Sequence, residues 1–139
     1  MSTPEFIASY WTLAGNVVPL GPPEQEASGH DLSERLPVAA AAGYSGIGLM
    51  RSDLLSIRQR YDFPTIRSML ADHGMKYLEL EFLVGWIADG DELAESEAVF
   101  DDMLEAAENL DVRHVKVGPD MNATEWPIEH MAERFAGLC

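Results

Sequence analysis

A strand followed by a helix recurs along this chain, and the joints between successive units share one grammar. Gly43-Tyr44-Ser45-Gly46-Ile47 and Gly74-Met75-Lys76-Tyr77-Leu78 each place a helix-ending glycine two or three residues ahead of an apolar run. Leu110-Asp111-Val112-Arg113 does the same work without glycine. Ser45 to Lys76 is 31 residues and Lys76 to Arg113 is 37. Such spacing fits βα units, because a parallel strand pair needs a crossover of a dozen or more residues to bring the chain back to the same end of the sheet. An α/β fold with a parallel sheet follows, either a segment of a (β/α)8 barrel or a small open sheet.

The elements are placed by periodicity and punctuation. Phe6 to Trp11 is expected as the first strand, followed by a loop rich in Gly, Pro and polar residues from Gly15 to His30. Asp31 caps a helix through Ala42, with Leu32, Leu36, Ala39 and Ala40 on one face and Gly43 as its left-handed stop. Gly46 to Met50 is the second strand, and Asp53 begins a short helix that ends near Arg60. Thr65 to His73 is helical, Tyr77 to Leu83 is the third strand, and the longest helix is expected from Asp91 to Asn109. His114 to Gly118 is the fourth strand and Pro127 to Leu138 the fourth helix. A single domain over residues 1–139 is expected, reading as the first four βα units of a barrel cut before its fifth strand.

Composition narrows the partners. With 9 Lys+Arg against 24 Asp+Glu the formal charge is −15, so phosphate backbones and anionic membranes are repelled, and nucleic acid is not an expected partner. No apolar run approaches the ~20 residues of a membrane span, and the start carries no basic stretch ahead of an apolar one, so a cytoplasmic protein is expected. The lone Cys139 has no internal partner for a disulfide.

In a barrel the outward strand face lies under apolar helices, and the inward face lines the lumen, with chemistry at its C-terminal rim. On the third strand Leu78, Leu80 and Phe82 share one parity and are expected beneath the helices, which turns Glu79 and Glu81 inward. On the fourth, Val115 and Val117 face out, turning His114 and Lys116 inward. Glu81, nearer the rim, is the candidate general base; the alternative is that Lys116 pairs with Glu79 or Glu81 only to satisfy buried charge. His114 reads as a hydrogen-bonded core residue. Arg51, at the end of the second strand, suits gripping a carboxylate or phosphate, and Asp53 capping the helix behind it. Trp11 and Trp86 follow the first and third strands, where a flat ring stacks on a sugar or anchors a loop. His30, His73 and His130 have no metal-ligand spacing and read as surface residues. Glycine-rich dinucleotide and phosphate loops, His-Glu-x-x-His, paired cysteines and a G-x-S-x-G elbow are all absent from the sequence.

Taken together, "FIASYW", "RLPVAAAAGYSGIGLM", "KYLELEFLVGW" and "IEHMAERFAGLC" resemble the N-terminal half of xylose-isomerase-like sugar phosphate isomerases/epimerases, a family of (β/α)8 TIM barrels. The resemblance implies a divalent metal (Mn, Mg, Co or Zn) held by Glu, Asp and His at later strand ends, with no metal ligand mapped onto this chain. It implies that Arg51, Glu81 and Trp86 match rim positions lining the substrate pocket; Trp11, Glu79 and Lys116 are further expected substrate contacts from their places on the strands alone. Many relatives carry Glu in the second strand where Gly48 stands here, and histidines of the endonuclease-type members are replaced by Met50-Arg51 and Phe82-Leu83-Val84. The expected function is a metal-dependent isomerase or epimerase, or a lyase, moving a proton next to a carbonyl of a sugar, sugar phosphate or cyclic polyol once the barrel is complete. The chain alone is not expected to be catalytic. The alternatives are a non-catalytic half-barrel that binds a small ligand, or a homo-oligomer whose copies close each other's open edges.

Overall fold

The computed structural model describes residues 3–139, which form a four-stranded sheet in the order β1-β2-β3-β4, every neighbouring pair parallel. The strands are β1 (Ile7–Ala8), β2 (Gly46–Met50), β3 (Tyr77–Leu83) and β4 (His114–Val117). Helices α1 (Tyr10–Leu13), α2 (Pro23–Glu26) and α3 (Leu32–Ala41) separate β1 from β2. Two more, α4 (Arg51–Arg58) and α5 (Phe63–Asp72), lead to β3; α6 (Gly90–Leu110) leads to β4, and α7 (Ile128–Gly137) follows it. Sequential strand order with a helical return after each strand is the topology of half a TIM barrel.

Local chemistry sets the boundaries. Asp31 accepts from the Ser33 amide while Glu34 reaches back to the Asp31 amide, a reciprocal capping box that fixes the start of α3. Asp62 caps α5 through the Thr65 amide, so that helix begins at Phe63, two residues before the expected start, with Pro64 in its first turn. At the end of α6 Asp111 itself takes the left-handed conformation, φ 55°, that glycine supplies at the other two joints. Three expectations are corrected. β1 is two residues long because Tyr10 and Trp11 already belong to α1, the loop from Gly15 to His30 contains α2, and the helix after β2 starts at Arg51 rather than Asp53. Within α3, Ala40 is exposed and Arg35 is buried in its stead.

The main core lies between the helices and the outer face of the sheet, where Leu36, Ile47, Leu49, Ile66, Leu80, Leu83, Met103 and Ala106 are each at most 2% exposed. Burial of each large aliphatic side chain there contributes about 1.5–3 kcal/mol. A second, smaller cluster of Tyr10, Ala14 and Met50, with Trp11, Val17 and Phe82 against it, sits on the opposite face. No helix among the described residues is long and apolar enough to cross a membrane.

Strand parity holds along β3 as far as Glu81 and then changes. Leu80 pairs with Val115 but Leu83 with Val117, so three residues of β3 oppose two of β4. The irregularity puts Leu83 under the helices and turns Phe82 to the inner face, where its ring lies against Gly118 so closely that a β-carbon on Gly118 would come within 2.4 Å. Phe82 was expected beneath the helices; the extra residue reverses its side.

Candidate functional site

The inner face of the sheet gathers four ionisable side chains from two neighbouring strands. Glu79 and His114 are register partners on β3 and β4, and His114 Nε2 lies 3.0 Å from Glu79 Oε1. Lys116 Nζ lies 2.6 Å from Glu79 Oε2 and donates to Glu81 Oε1 at 3.3 Å. The two glutamates are 5% and 2% exposed, so the ammonium between them is what makes their burial tolerable. Burial works against the Lys116 charge, but the Glu79 hydrogen bond and the nearby Glu81 outweigh it and hold the ammonium above the usual lysine range.

Glu81 is positioned from three directions. Its Oε1 accepts from the Tyr10 amide at 3.1 Å as well as from Lys116. Its carboxyl group also fills the space above Gly48 on β2, where a β-carbon would stand 2.0 Å from Oε1 and 3.0 Å from the Tyr10 nitrogen. A residue with any side chain at 48 would therefore expel it. Glu81 Oε2 makes no hydrogen bond to the described residues, and the side chain borders a concavity of about 230 Å³ shared by Leu20, Glu26, Met50, Arg51 and Phe82.

The loop after β1 closes one side of that concavity and is tied down by polar contacts the sequence did not advertise. Glu26 is 8% exposed; it accepts from the Leu20 amide and from Ser52 Oγ, at 3.0 and 2.6 Å. Tyr10 donates its hydroxyl to the Glu26 carbonyl at 2.5 Å, and burial, reinforced by the Asp53 charge, pushes its phenol above the usual tyrosine range. Ser28 anchors the far end of the loop through its amide to Asp53 and its hydroxyl to the Ala14 carbonyl.

Of the remaining candidates Arg51 shares the concavity at Glu81 and Trp11 packs beside Phe82, while Asp53 and Trp86 lie elsewhere. Arg51 opens α4 and donates through Nε to Asp102 of α6 at 2.6 Å, its side chain about one-third exposed, so its charge already has a partner. Asp53 was expected as a cap; it is instead a buried partner of Arg35, 2.9 Å away, and burial pushes its carboxyl above the usual range despite Arg35. Trp11 presents its ring edge to Phe82 at 6.3 Å between centroids, with Nε1 enclosed and without a hydrogen-bond partner among the described residues. Trp86 is 9% exposed, donates to the Gly118 carbonyl at 2.7 Å and meets Phe135 edge-on. It lines a groove of about 460 Å³ between α6 and α7, distinct from the concavity at Glu81. His114 is not a core residue: its side chain is 44% exposed because β4 is the sheet's edge. His130 is half-buried, stacked on Trp126 and hydrogen-bonded to the Ile87 carbonyl, rather than a free surface histidine.

The donors on the inner face do not make a metal centre. No group of three or more His, Cys, Asp or Glu among the described residues is placed to hold a cation, and an ammonium already occupies the space between the two carboxyl groups. What this arrangement offers chemically is a buried carboxyl group at the border of a concavity, with one oxygen fixed and the other without a hydrogen bond to the described residues, beside a fixed positive charge. A substrate oxygen arriving there meets a donor, and a substrate C–H or O–H meets an acceptor.

No protein-family profile and no curated protein matches this sequence. Among solved structures the chain is similar to a xylose isomerase-like TIM barrel/4-hydroxyphenylpyruvate dioxygenase fusion protein, with a TM-score of 0.70 and 19% identity over 95% of this chain. This chain spans only 19% of that protein's length. At that identity the likeness is one of fold, a xylose isomerase-like TIM barrel.

Proposed function

We propose that this chain is the substrate-facing half of a barrel that moves a proton next to a carbonyl of a sugar, sugar phosphate or cyclic polyol. The observation that carries it is the Glu81 carboxyl group, 2% exposed, held through Oε1 by Tyr10 and Lys116 and bordering the concavity at the strand ends. Glu81 takes the proton from the carbon beside the carbonyl, and the electron pair of that C–H bond moves onto the carbonyl oxygen as an enediolate. Lys116 neutralises the developing charge from the adjacent strand. Once the remaining hydroxyl proton passes from one enediolate oxygen to the other, returning the carbon proton from Glu81 to the neighbouring carbon gives isomerisation; protonation of the original carbon from its opposite face, by an acid on another strand, gives epimerisation. Glu79 keeps Lys116 in place by a 2.6 Å contact. Phe82 and Trp11 supply an apolar wall for the carbon face of the substrate. Family resemblance adds a divalent metal brought by other strands; the residues here do not fit one, and no step above runs through it.

A second proposal is favoured by the ion pairs themselves: Lys116 pairs with Glu79 and Glu81, and Arg51 with Asp102, as in a half-barrel that only binds or associates. Amide NMR separates the two. Titration with a ketose, its phosphate and a cyclic keto-polyol is expected to shift Met50, Glu81, Phe82 and Lys116. In deuterated water the C–H beside the carbonyl is expected to exchange faster with wild type than with Glu81→Gln, a partial reaction that falls short of the net turnover of a complete barrel. Shifts without exchange support the binding half-barrel. Saturating all three compounds without a shift at those amides overturns both.

A further inference from the structure

Glu26 is the buried ionisable group that the chemistry at Glu81 leaves unused. It is 8% exposed, and its oxygens accept from neutral donors, Oε1 from the Leu20 amide at 3.0 Å and Oε2 from Ser52 Oγ at 2.6 Å. It makes no ion pair among the described residues, whereas the other buried carboxylates do: Asp53 has Arg35, and Glu79 and Glu81 share Lys116. A carboxylate enclosed without a cation is costly. Pinning the loop does not require that charge. A glutamine at 26 would accept from Leu20 through its oxygen and donate to Ser52 Oγ through its nitrogen, meeting both bonds while neutral. Each Glu26 oxygen also keeps a further lone pair, so the surplus is negative charge with acceptor capacity left over.

That charge borders the same concavity of about 230 Å³ as Glu81. Two carboxyl groups on side chains more than nine-tenths buried thus reach one small space from different elements, Glu26 from α2 and Glu81 from β3. The nearby cations are already engaged: Arg51 donates to Asp102, and Lys116 lies between Glu79 and Glu81. Glu26, Glu79, Glu81 and Asp102 therefore stand against Lys116 and Arg51, and the chain as a whole, at −15, adds to the same sign. Leu20, Met50 and Phe82 contribute apolar surface to the same space. Such a space repels a phosphate and accepts a hydroxyl without preference. An ammonium group gains most, because its hydrogen bonds to a carboxylate are charge-assisted.

We infer that Glu26 binds a protonated primary amine of the ligand whose reacting carbon faces Glu81, so that the substrate is an aminated keto-sugar or keto-polyol rather than a sugar phosphate. The carbonyl half of this statement rests on the reading of Glu81 given above; the amine half rests on Glu26 alone. Fructosamine, fructose and fructose 1-phosphate share a carbon skeleton and differ in charge at one position. Titrated at neutral pH and followed by amide NMR, fructosamine is expected to shift Leu20 and Ser52 and to bind about tenfold tighter than fructose, the factor by which a charged hydrogen bond exceeds a neutral one. The phosphate is expected to bind more weakly than either. Glu26→Gln is expected to bring fructosamine down to the affinity of fructose with far-UV dichroism unchanged. With wild type the preference is expected to vanish as pH rises through the pKa of the ligand's own ammonium group, a reading that needs no variant to fold. Absence of binding by all three, equal affinities, or a fructosamine preference that survives Glu26→Gln or deprotonation of the amine overturns the inference. Preference for the phosphate overturns it too and gives the anion to Arg51. Failure at Glu81 reads differently: fructosamine-selective binding with C–H exchange no faster in wild type than in Glu81→Gln supports the amine site and overturns the proton transfer.

Discussion

Gly48 is the residue on which the geometry of the candidate base depends most directly. A β-carbon there would stand 2.0 Å from Glu81 Oε1 and 3.0 Å from the Tyr10 backbone nitrogen, so the flexible carboxyl group must leave while the backbone holds still. Gly48→Ala is therefore expected to cost about 1–3 kcal/mol, the range for overpacking a filled interior, and to break the Lys116–Glu81 contact. Chemical denaturation reads the first effect and the Glu81 side-chain carboxyl resonance the second; an alanine variant of unchanged stability would mean that Glu81 is not seated over β2. Lys116 supplies a pH signature at the same scale. Its native pKa is raised above 10.5, so its contribution to stability is fully present below that value and lost as pH rises through the higher native one. The urea midpoints of wild type and Lys116→Met are expected to differ at neutral pH and to converge only in strongly alkaline solution; convergence near neutrality would contradict the pairing. The inward turn of Glu79, Glu81 and Lys116 was legible in the sequence because alternation along a strand has a period of two. Phe82 was not, since one unpaired residue in β3 reverses parity without any mark in composition. The partner of Arg51 was also hidden, because Asp102 is 51 residues away on another helix.

Among the elements, α3 and α4 are joined by a buried ion pair that no periodicity argument finds. Arg35 and Asp53 have side chains 6% and 2% exposed and approach to 2.9 Å, and Asp53 also accepts from the Ser28 amide, which ties in the loop that carries Glu26. Removing one member leaves the other charge buried without a partner, so Arg35→Met is expected to cost about 3–5 kcal/mol, whereas Arg35→Met with Asp53→Leu is expected to recover most of it. A double-mutant cycle on urea midpoints measures the coupling; additive losses would show that the pair contributes nothing specific. Strand β2 matched its sequence boundaries because it is an apolar run between a turn and a helix start, β3 because it is an alternating run between two turns, and α3 ended where Gly43 ends it. β1 did not, for "FIASYW" is apolar throughout and composition alone does not separate a two-residue strand from the helical turn that follows it. Arg35 failed for the opposite reason: a charged residue at a core-facing helical position reads as solvent-exposed until its partner on another element is known.

At the scale of the whole molecule the excess of acid over base sets the response to salt. The chain carries 24 acidic against 9 basic residues, a formal charge of −15, so most carboxylates lack a cationic partner and repel one another across the surface. Exposed pairs such as Arg60–Asp31 and Lys76–Glu5 act in the opposite sense, but each contributes only about 0–1 kcal/mol and is screened by the same salt. Raising ionic strength from about 0.1 M to about 1 M shortens the screening length from roughly 10 Å to roughly 3 Å, which removes the long-range repulsion while leaving enclosed pairs such as Arg35–Asp53 largely intact. Thermal midpoints are therefore expected to rise with sodium chloride. A midpoint that falls would mean that the few surface pairs outweigh fifteen uncompensated negative charges.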